Sequence, residues 1–137
     1  MDNDCALCRA QNEDYRLVYK DAHCFCIANI EPLNEGHFMV LPTRHVCELG
    51  AFEPTELKAI HDLLHRLGKA IKKEYGHDVN IALNQGSNTS QDHVHFHILP
   101  SPCAFRHTMA KAHGLPSRVR GTAEQLSAMR DRLVRHL

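Results

Sequence analysis

The chain has 137 residues, 43% of them hydrophobic, which suits one globular domain with one substantial core and requires no second. Its 16 Lys and Arg balance 16 Asp and Glu, so net charge gives no reason to expect a nucleic-acid coat or an anionic membrane surface, and any phosphate site must be local. The acidic start Met1-Asp2-Asn3-Asp4 leads into no apolar run, and no stretch is long enough to span a membrane, so a cytoplasmic protein is expected. In such a compartment the six cysteines are expected as thiols or metal ligands, not disulfides.

Cys5-Ala6-Leu7-Cys8 is a Cys-x-x-Cys pair, a spacing shared by metal ligands, redox pairs and chance. It lacks the preceding strand and the following long helix of a thioredoxin-like site. Tyr15 to Tyr19 and Cys24 to Ala28 read as two strands of an antiparallel hairpin, joined at Lys20-Asp21-Ala22-His23. Pro32 and Gly36 frame a loop, and His37 to Leu41 form a third strand that Pro42 ends. Asn29 and His37 stand at the two mouths of that loop, where each also has a plain reading as a turn residue.

Glu53-Pro54 opens one long helix, with Pro in the first turn and Glu56 favourable to the dipole, and Gly76 ends it after Tyr75. Leu57, Ile60, Leu64, Leu67 and Ile71 repeat at helical spacing and are expected to pack on the sheet. His61 and His65 fall at i and i+4, but no Glu follows His61 as a His-Glu-x-x-His site demands, so they are expected on a solvated flank. Cys24, Cys26, Cys47 and Cys103 are expected to be small packing residues.

Val79 to Leu83 reads as a buried strand ending in Asn84-Gln85-Gly86, and the polar loop Ser87 to Gln91 leads into Asp92-His93-Val94-His95-Phe96-His97-Ile98-Leu99-Pro100. On a strand, His93, His95 and His97 share one face while Val94, Phe96 and Ile98 enter the core. A merely solvated face does not call for three histidines, because Lys, Thr or Glu would serve. A single catalytic metal does not suit the row either: at roughly 3.3 Å per residue the outer two lie about 13 Å apart, too far for Zn–N bonds of about 2.0 Å to one ion. The remaining reading is an imidazole nucleophile flanked by groups that manage charge, with phosphorus as its natural electrophile.

Beyond Pro100 the character changes. No acidic residue falls between Asp92 and Glu124, whereas Arg106, Lys111, Arg118 and Arg120 do, a pattern equally suited to attracting phosphate-rich groups and to a basic surface loop. Thr122 with Gln125 forms a capping box, and Leu126, Met129, Leu133 and Leu137 mark a last amphipathic helix.

His93 to Leu99 matches His-φ-His-φ-His-φ-φ, φ being apolar, at every position, and in this the chain resembles the histidine triad family of nucleotide hydrolases and transferases. The resemblance runs through Asn29-Ile30-Glu31-Pro32, Gly36-His37, Leu41-Pro42-Thr43-Arg44-His45 and Asn84, covering roughly residues 5 to 100 and leaving 101 to 137 as an extension of a single 1–137 domain. It implies an α+β fold, an antiparallel sheet of about five strands with the long helix packed on it, followed by a C-terminal helix. It also implies that His95 attacks the α-phosphorus of a purine nucleotide or other nucleoside phosphate derivative, while His97 and Asn84 stabilise charge on the phosphate oxygens. Asn29, Ile30 and His37 would hold the nucleoside. Ser90, with Ser87 and Thr89 behind it, would donate a hydroxyl to the phosphate, although this loop is about two residues shorter than the family's pattern. Cys5, Cys8, His45 and His93 would hold a structural Zn2+, and no catalytic metal is required. The resemblance further implies a homodimer joined through the long helix and an edge strand, a surface that the Thr122 to Leu137 helix could instead cover. Two other functions are weighed: a nucleotidyltransferase of the galactose-1-phosphate uridylyltransferase type, which carries Gln at the position of His97, and a nucleotide-binding module without turnover.

Overall fold

In the computed structural model, which describes residues 4–86, 91–116 and 118–137, the run Cys24-Phe25-Cys26-Ile27 sets the architecture. All four are buried, so this strand is covered on both faces. Five antiparallel strands form the sheet: β1 (Leu17–Lys20), β2 (Cys24–Ala28), β3 (Phe38–Pro42), β4 (Val79–Ala82) and β5 (Phe96–Pro100), in spatial order β1-β2-β3-β5-β4. The last strand is thereby inserted beside β3, and β4 becomes an edge. The expected hydroxyl donors Ser87, Thr89 and Ser90 lie outside the described residues.

One face packs on the long helix α2 (Pro54–Tyr75). Cys24, Cys26, Val40 and Ile98 meet Ile60, Leu63, Leu67 and Ile71 there. Burial of each such aliphatic side chain contributes about 1.5–3 kcal/mol. The buried stripe differs from the expected one by including Leu63 while leaving Leu57 exposed, because the helix turns its 56-60-63-67-71 row toward the sheet. The opposite face carries Phe25, Ile27, Met39 and Leu41 against Leu7 and Ala10 of a short helix, α1 (Ala6–Ala10). Thus the Cys-x-x-Cys pair rides on a helical turn, with Cys5 Sγ capping it by accepting from the Cys8 N–H at 3.4 Å.

The caps of α2 follow the expectation. Glu53 and Glu56 form a reciprocal capping box around Pro54, and Gly76 closes the helix at φ 79°. Glu56 also receives Arg44 Nε and Nη2 at 2.9 and 2.8 Å, and Arg44 Nη2 donates onward to the Ala51 carbonyl at 2.7 Å. This bidentate pair ties the segment after β3 to the start of α2, and Arg44 holds the Glu56 carboxyl below the usual carboxylate range. Replacing the buried Glu56 by Ala strands the capping N–H of Glu53 and the guanidinium together, so a loss of about 1.5–3 kcal/mol is expected in urea unfolding, against little change for Glu53→Asp.

Gly36 sits at φ 95°, and a Cβ there would lie 2.8 Å from the Tyr75 ring and 2.9 Å from Pro100, so the turn that delivers His37 to β3 admits only glycine. The chain divides into two compact units, residues 1–102 and 103–137. The second holds α3 (Phe105–Ala112), which periodicity did not announce, and α4 (Ala123–Val134), whose Thr122/Gln125 capping box is formed as expected. Among the described residues no helix is long and apolar enough to cross a membrane.

Candidate active site and metal centre

Pairing places the histidines. His97 lies on β5 opposite Met39 of β3 and Ala82 of β4, on the α1 side of the sheet, while Phe96 and Ile98 face α2. The strand begins only at Phe96, so His93 and His95 lie in the approach to it and not on the continuous ladder that the alternation implies. The register between β4 and β5 ends with Ala82 opposite His97, and Asn84 and His95, each two residues further on, line the same cleft. A cleft on this side is lined by Asn84, His95, His97, Asn29, Ile30 and His37, gathering most of the expected residues. Arg9, Glu13, Arg16, Leu33, Met39 and Gln91 also line it, with Ala6, Leu7 and Glu31, and those first six do not stand out in the sequence. The signal that could have found the first of them is Leu7-Cys8-Arg9-Ala10, read as a helical turn that buries Leu7, Cys8 and Ala10 and leaves Arg9 outside.

Hydrogen bonds fix the tautomers. His95 Nδ1 lies 2.8 Å from the His93 carbonyl, which can only accept, so Nδ1 carries a proton, and in the neutral tautomer this leaves the lone pair on Nε2. His37 Nδ1 accepts from the Leu33 N–H at 3.0 Å, so its proton is on Nε2, which donates to His97 Nδ1 at 2.8 Å. His97 must then carry its own proton on Nε2. A main-chain N–H in the Pro32–Gly36 loop thereby sets a donor on β5 through two imidazoles. Asn29 Oδ1 accepts from the Glu31 N–H at 2.9 Å, and its Nδ2 rests 3.3 Å from His37 Nε2, a packing contact because that nitrogen already bears a proton.

Burial, reinforced by the neighbouring His95 and His37 rings, pushes His97 down to about 4, and burial lowers His37 as well. Both are therefore neutral at pH 7, which the donor chain requires.

Below α1 a second cluster forms. Cys5, Cys8, His45 and His93 bring four ligand atoms within 4.8 Å of one another. His93 Nδ1 stands 3.6 Å from Cys5 Sγ and 3.4 Å from Cys8 Sγ, and His45 Nδ1 stands 3.3 Å from Cys8 Sγ. A tetrahedral ion with Zn–S of about 2.3 Å and Zn–N of about 2.0 Å needs S···N edges of roughly 3.5 Å, so the donor set and spacing fit such an ion. The outer nitrogens are oriented too: His93 Nε2 faces the Pro42 carbonyl at 3.1 Å, leaving Nδ1 deprotonated, and His45 Nε2 faces Cys47 Sγ at 3.3 Å. Burial pushes His93 down to about 4, which keeps it a neutral ligand. The Val94 N–H bond to the Val46 carbonyl at 2.7 Å joins the two histidine-bearing segments.

The remaining cysteines divide. Cys24 and Cys26 are fully buried and pushed up to about 12 by desolvation, inert packing groups as expected. Cys47 and Cys103 are exposed, contrary to expectation, and Cys47 Sγ instead meets His45, one of the four candidate ligands.

A small antiparallel sheet with one long helix, bearing a cleft lined by histidines on one face, defines a class that comparison with known proteins names. The HIT domain is recognised over residues 10–102, and the chain belongs to that family. It is 32% identical over 106 residues to an adenylylsulfatase of Arabidopsis thaliana, matching 73% of this chain and 53% of the relative, so it spans about half the length of that protein. It is 30% identical over 102 residues to an adenosine 5′-monophosphoramidase of Schizosaccharomyces pombe, matching 72% of this chain and 74% of the relative. Among solved structures, a Zn-bound histidine triad family protein from Mycobacterium smegmatis superposes with a TM-score of 0.65 at 24% identity, over 74% of this chain and 78% of that one.

Proposed function

We propose that the protein hydrolyses the bond between the α-phosphate of a nucleoside 5′-phosphate derivative and its leaving group, through a nucleotidyl-histidine intermediate. The observation that carries this is the pinned His95: with Nδ1 donating to the His93 carbonyl, Nε2 is the nitrogen left to attack, and His95 lines the same cleft as Asn84 and His97. Attack forms the P–Nε2 bond and breaks the bond from phosphorus to the leaving group. His97 supplies Nε2–H at the departing atom or a non-bridging oxygen, with its proton position set by His37. Asn84 donates without adding charge. Water then attacks the same phosphorus and frees His95. Asn29, Ile30 and His37 place the nucleoside end. The names of the two relatives, an adenosine 5′-monophosphoramidase and an adenylylsulfatase, support an adenylyl group bearing a nitrogen or oxyanion leaving group. His97 favours hydrolysis over sugar-phosphate transfer, since the uridylyltransferase pattern carries Gln there.

A side-by-side assay of adenosine 5′-phosphoramidate, adenylyl sulfate and a dinucleoside polyphosphate is expected to show release of AMP from at least one, with the phosphoramidate fastest. No AMP from any of the three, with AMP itself failing to bind, would contradict the reading.

Cys5, Cys8, His45 and His93 would hold Zn2+ as a structural ion. We further infer a homodimer: β4 is an unpaired edge with Ile81 exposed, a surface that symmetric pairing would cover. Sedimentation equilibrium on the full chain is expected to give twice the chain mass. A monomer whose truncation near Pro100 dimerises would show that the tail replaces the partner.

A further inference from the structure

The zero net charge of the chain conceals a segregation. Residues 103–137 hold seven Lys and Arg against two Asp and Glu, and residues 1–102 hold nine against fourteen. Within the basic unit the charge is also gathered in space. Arg106, in the first turn of α3, and Arg118 and Arg120, which precede α4, line one hollow together with Val119. No acidic residue occupies the first turn of α3. The unit's two carboxylates are placed elsewhere: Glu124 lies in the first turn of α4 and Asp131 pairs with Arg130. Among the described residues no ion pair engages Arg118 or Arg120.

Arginines from two segments that line one hollow repel one another less when an anion lies among them. Guanidinium forks match phosphoryl oxygens two at a time, and their charge persists at every physiological pH. We propose that Arg106, Arg118 and Arg120 form a binding site for an oligophosphate anion, a chain of linked phosphoryl groups. Linked phosphates supply adjacent charges along one short strand, which suits arginines that reach one hollow from two segments, α3 and the residues before α4. A single-stranded nucleic acid is the weaker match, because the hollow contains no aromatic ring on which a base could stack. The site is separate from the histidine cleft in residues and does not depend on the reaction proposed there.

The probe is inorganic tripolyphosphate, titrated calorimetrically into the full-length protein at moderate salt. Two variants of equal charge change are compared: Arg106→Gln/Arg118→Gln/Arg120→Gln, and Arg130→Gln/Arg132→Gln/Arg135→Gln on and just after α4. Both are checked for unchanged thermal midpoint, and single Arg118→Gln and Arg118→Lys variants serve if the first triple variant does not fold. The expected result is tripolyphosphate binding by the wild type and by the α4 variant within threefold of each other, and at least tenfold weaker binding by the hollow variant. In the single-variant series, Arg118→Gln weakens binding more than Arg118→Lys, which keeps the charge but loses the fork. Equal loss in the two triple variants would mean diffuse charge attraction and overturn the site. Undiminished binding in the hollow variant would place the anion elsewhere and overturn it as well. Absence of tripolyphosphate binding by the wild type, with or without binding to single-stranded oligonucleotides or anionic vesicles, would also overturn it.

Discussion

His95→Ala is expected to lower turnover by a factor on the order of 10³ to 10⁶ with the fold intact, because the group that forms the bond to phosphorus is removed. The fold should survive: among the described residues His95 contributes one side-chain hydrogen bond, from Nδ1 to the His93 carbonyl, and the strand that follows is held by its ladders to β3 and β4. His95→Gln separates nucleophilicity from hydrogen bonding, since the amide can still donate to that carbonyl but cannot attack. Both variants are expected to bind nucleotide with little loss, because Asn29, Ile30 and His37 are untouched. A His95→Ala protein with a native circular dichroism spectrum and a tenth of the wild-type kcat would remove His95 from the nucleophile's role.

The second large effect concerns the metal. Elemental analysis is expected to find about one zinc per chain, and Cys5→Ser/Cys8→Ser to lose it. An ion bound a thousandfold above its Kd stabilises by about 4 kcal/mol, which in a chain of this size lowers the thermal midpoint on the order of 10 °C when lost. The loss should be concentrated at α1, where both thiols reside, and at the His93 segment beneath the nucleophile. No step of the proposed reaction passes through the ion. Chelated protein that stays folded is therefore expected to keep hydrolysing, at a reduced rate where the His93 carbonyl is less firmly held. Complete inactivation of folded, chelated protein, reversed by zinc, would contradict a purely structural ion.

Much of this is legible in the residues for local reasons. The histidine row declares itself because alternation in a strand is a period-two signal, and α2 because Glu53-Pro54 and Gly76 are local punctuation. The features that the residues leave silent are decided at a distance or by short elements. α1 has five residues, too few for a helical period, and is held by its contacts with Phe25, Ile27 and Met39. The start of β5 at Phe96 depends on where β3 runs out of partners: Val40 pairs Phe96, and the next residues of β3 pair only β2. The link from His37 to His97 spans 60 positions, so the sequence offers His37 as a cleft residue but not as the group that fixes its neighbour's proton. Glu13 and Arg16, an ion pair on the cleft wall, give no signal because a charged pair at this spacing is ordinarily a solvated one. The surroundings of Cys47 are also non-local: its Sγ meets His45 Nε2 and the Asp92 carbonyl, 45 positions along the chain.

The covalent intermediate is the most direct test of nucleophilic catalysis by His95. Enzyme mixed with adenosine 5′-phosphoramidate, quenched within milliseconds in base and digested, is examined by mass spectrometry for a peptide carrying one added AMP group. The adduct is expected to form, to be lost in mild acid as a phosphorus–nitrogen bond should be, to map to His95, and to disappear in His95→Ala. An adduct on any other residue, or single-turnover release of AMP with no adduct at any time, would contradict a nucleotidyl-His95 route.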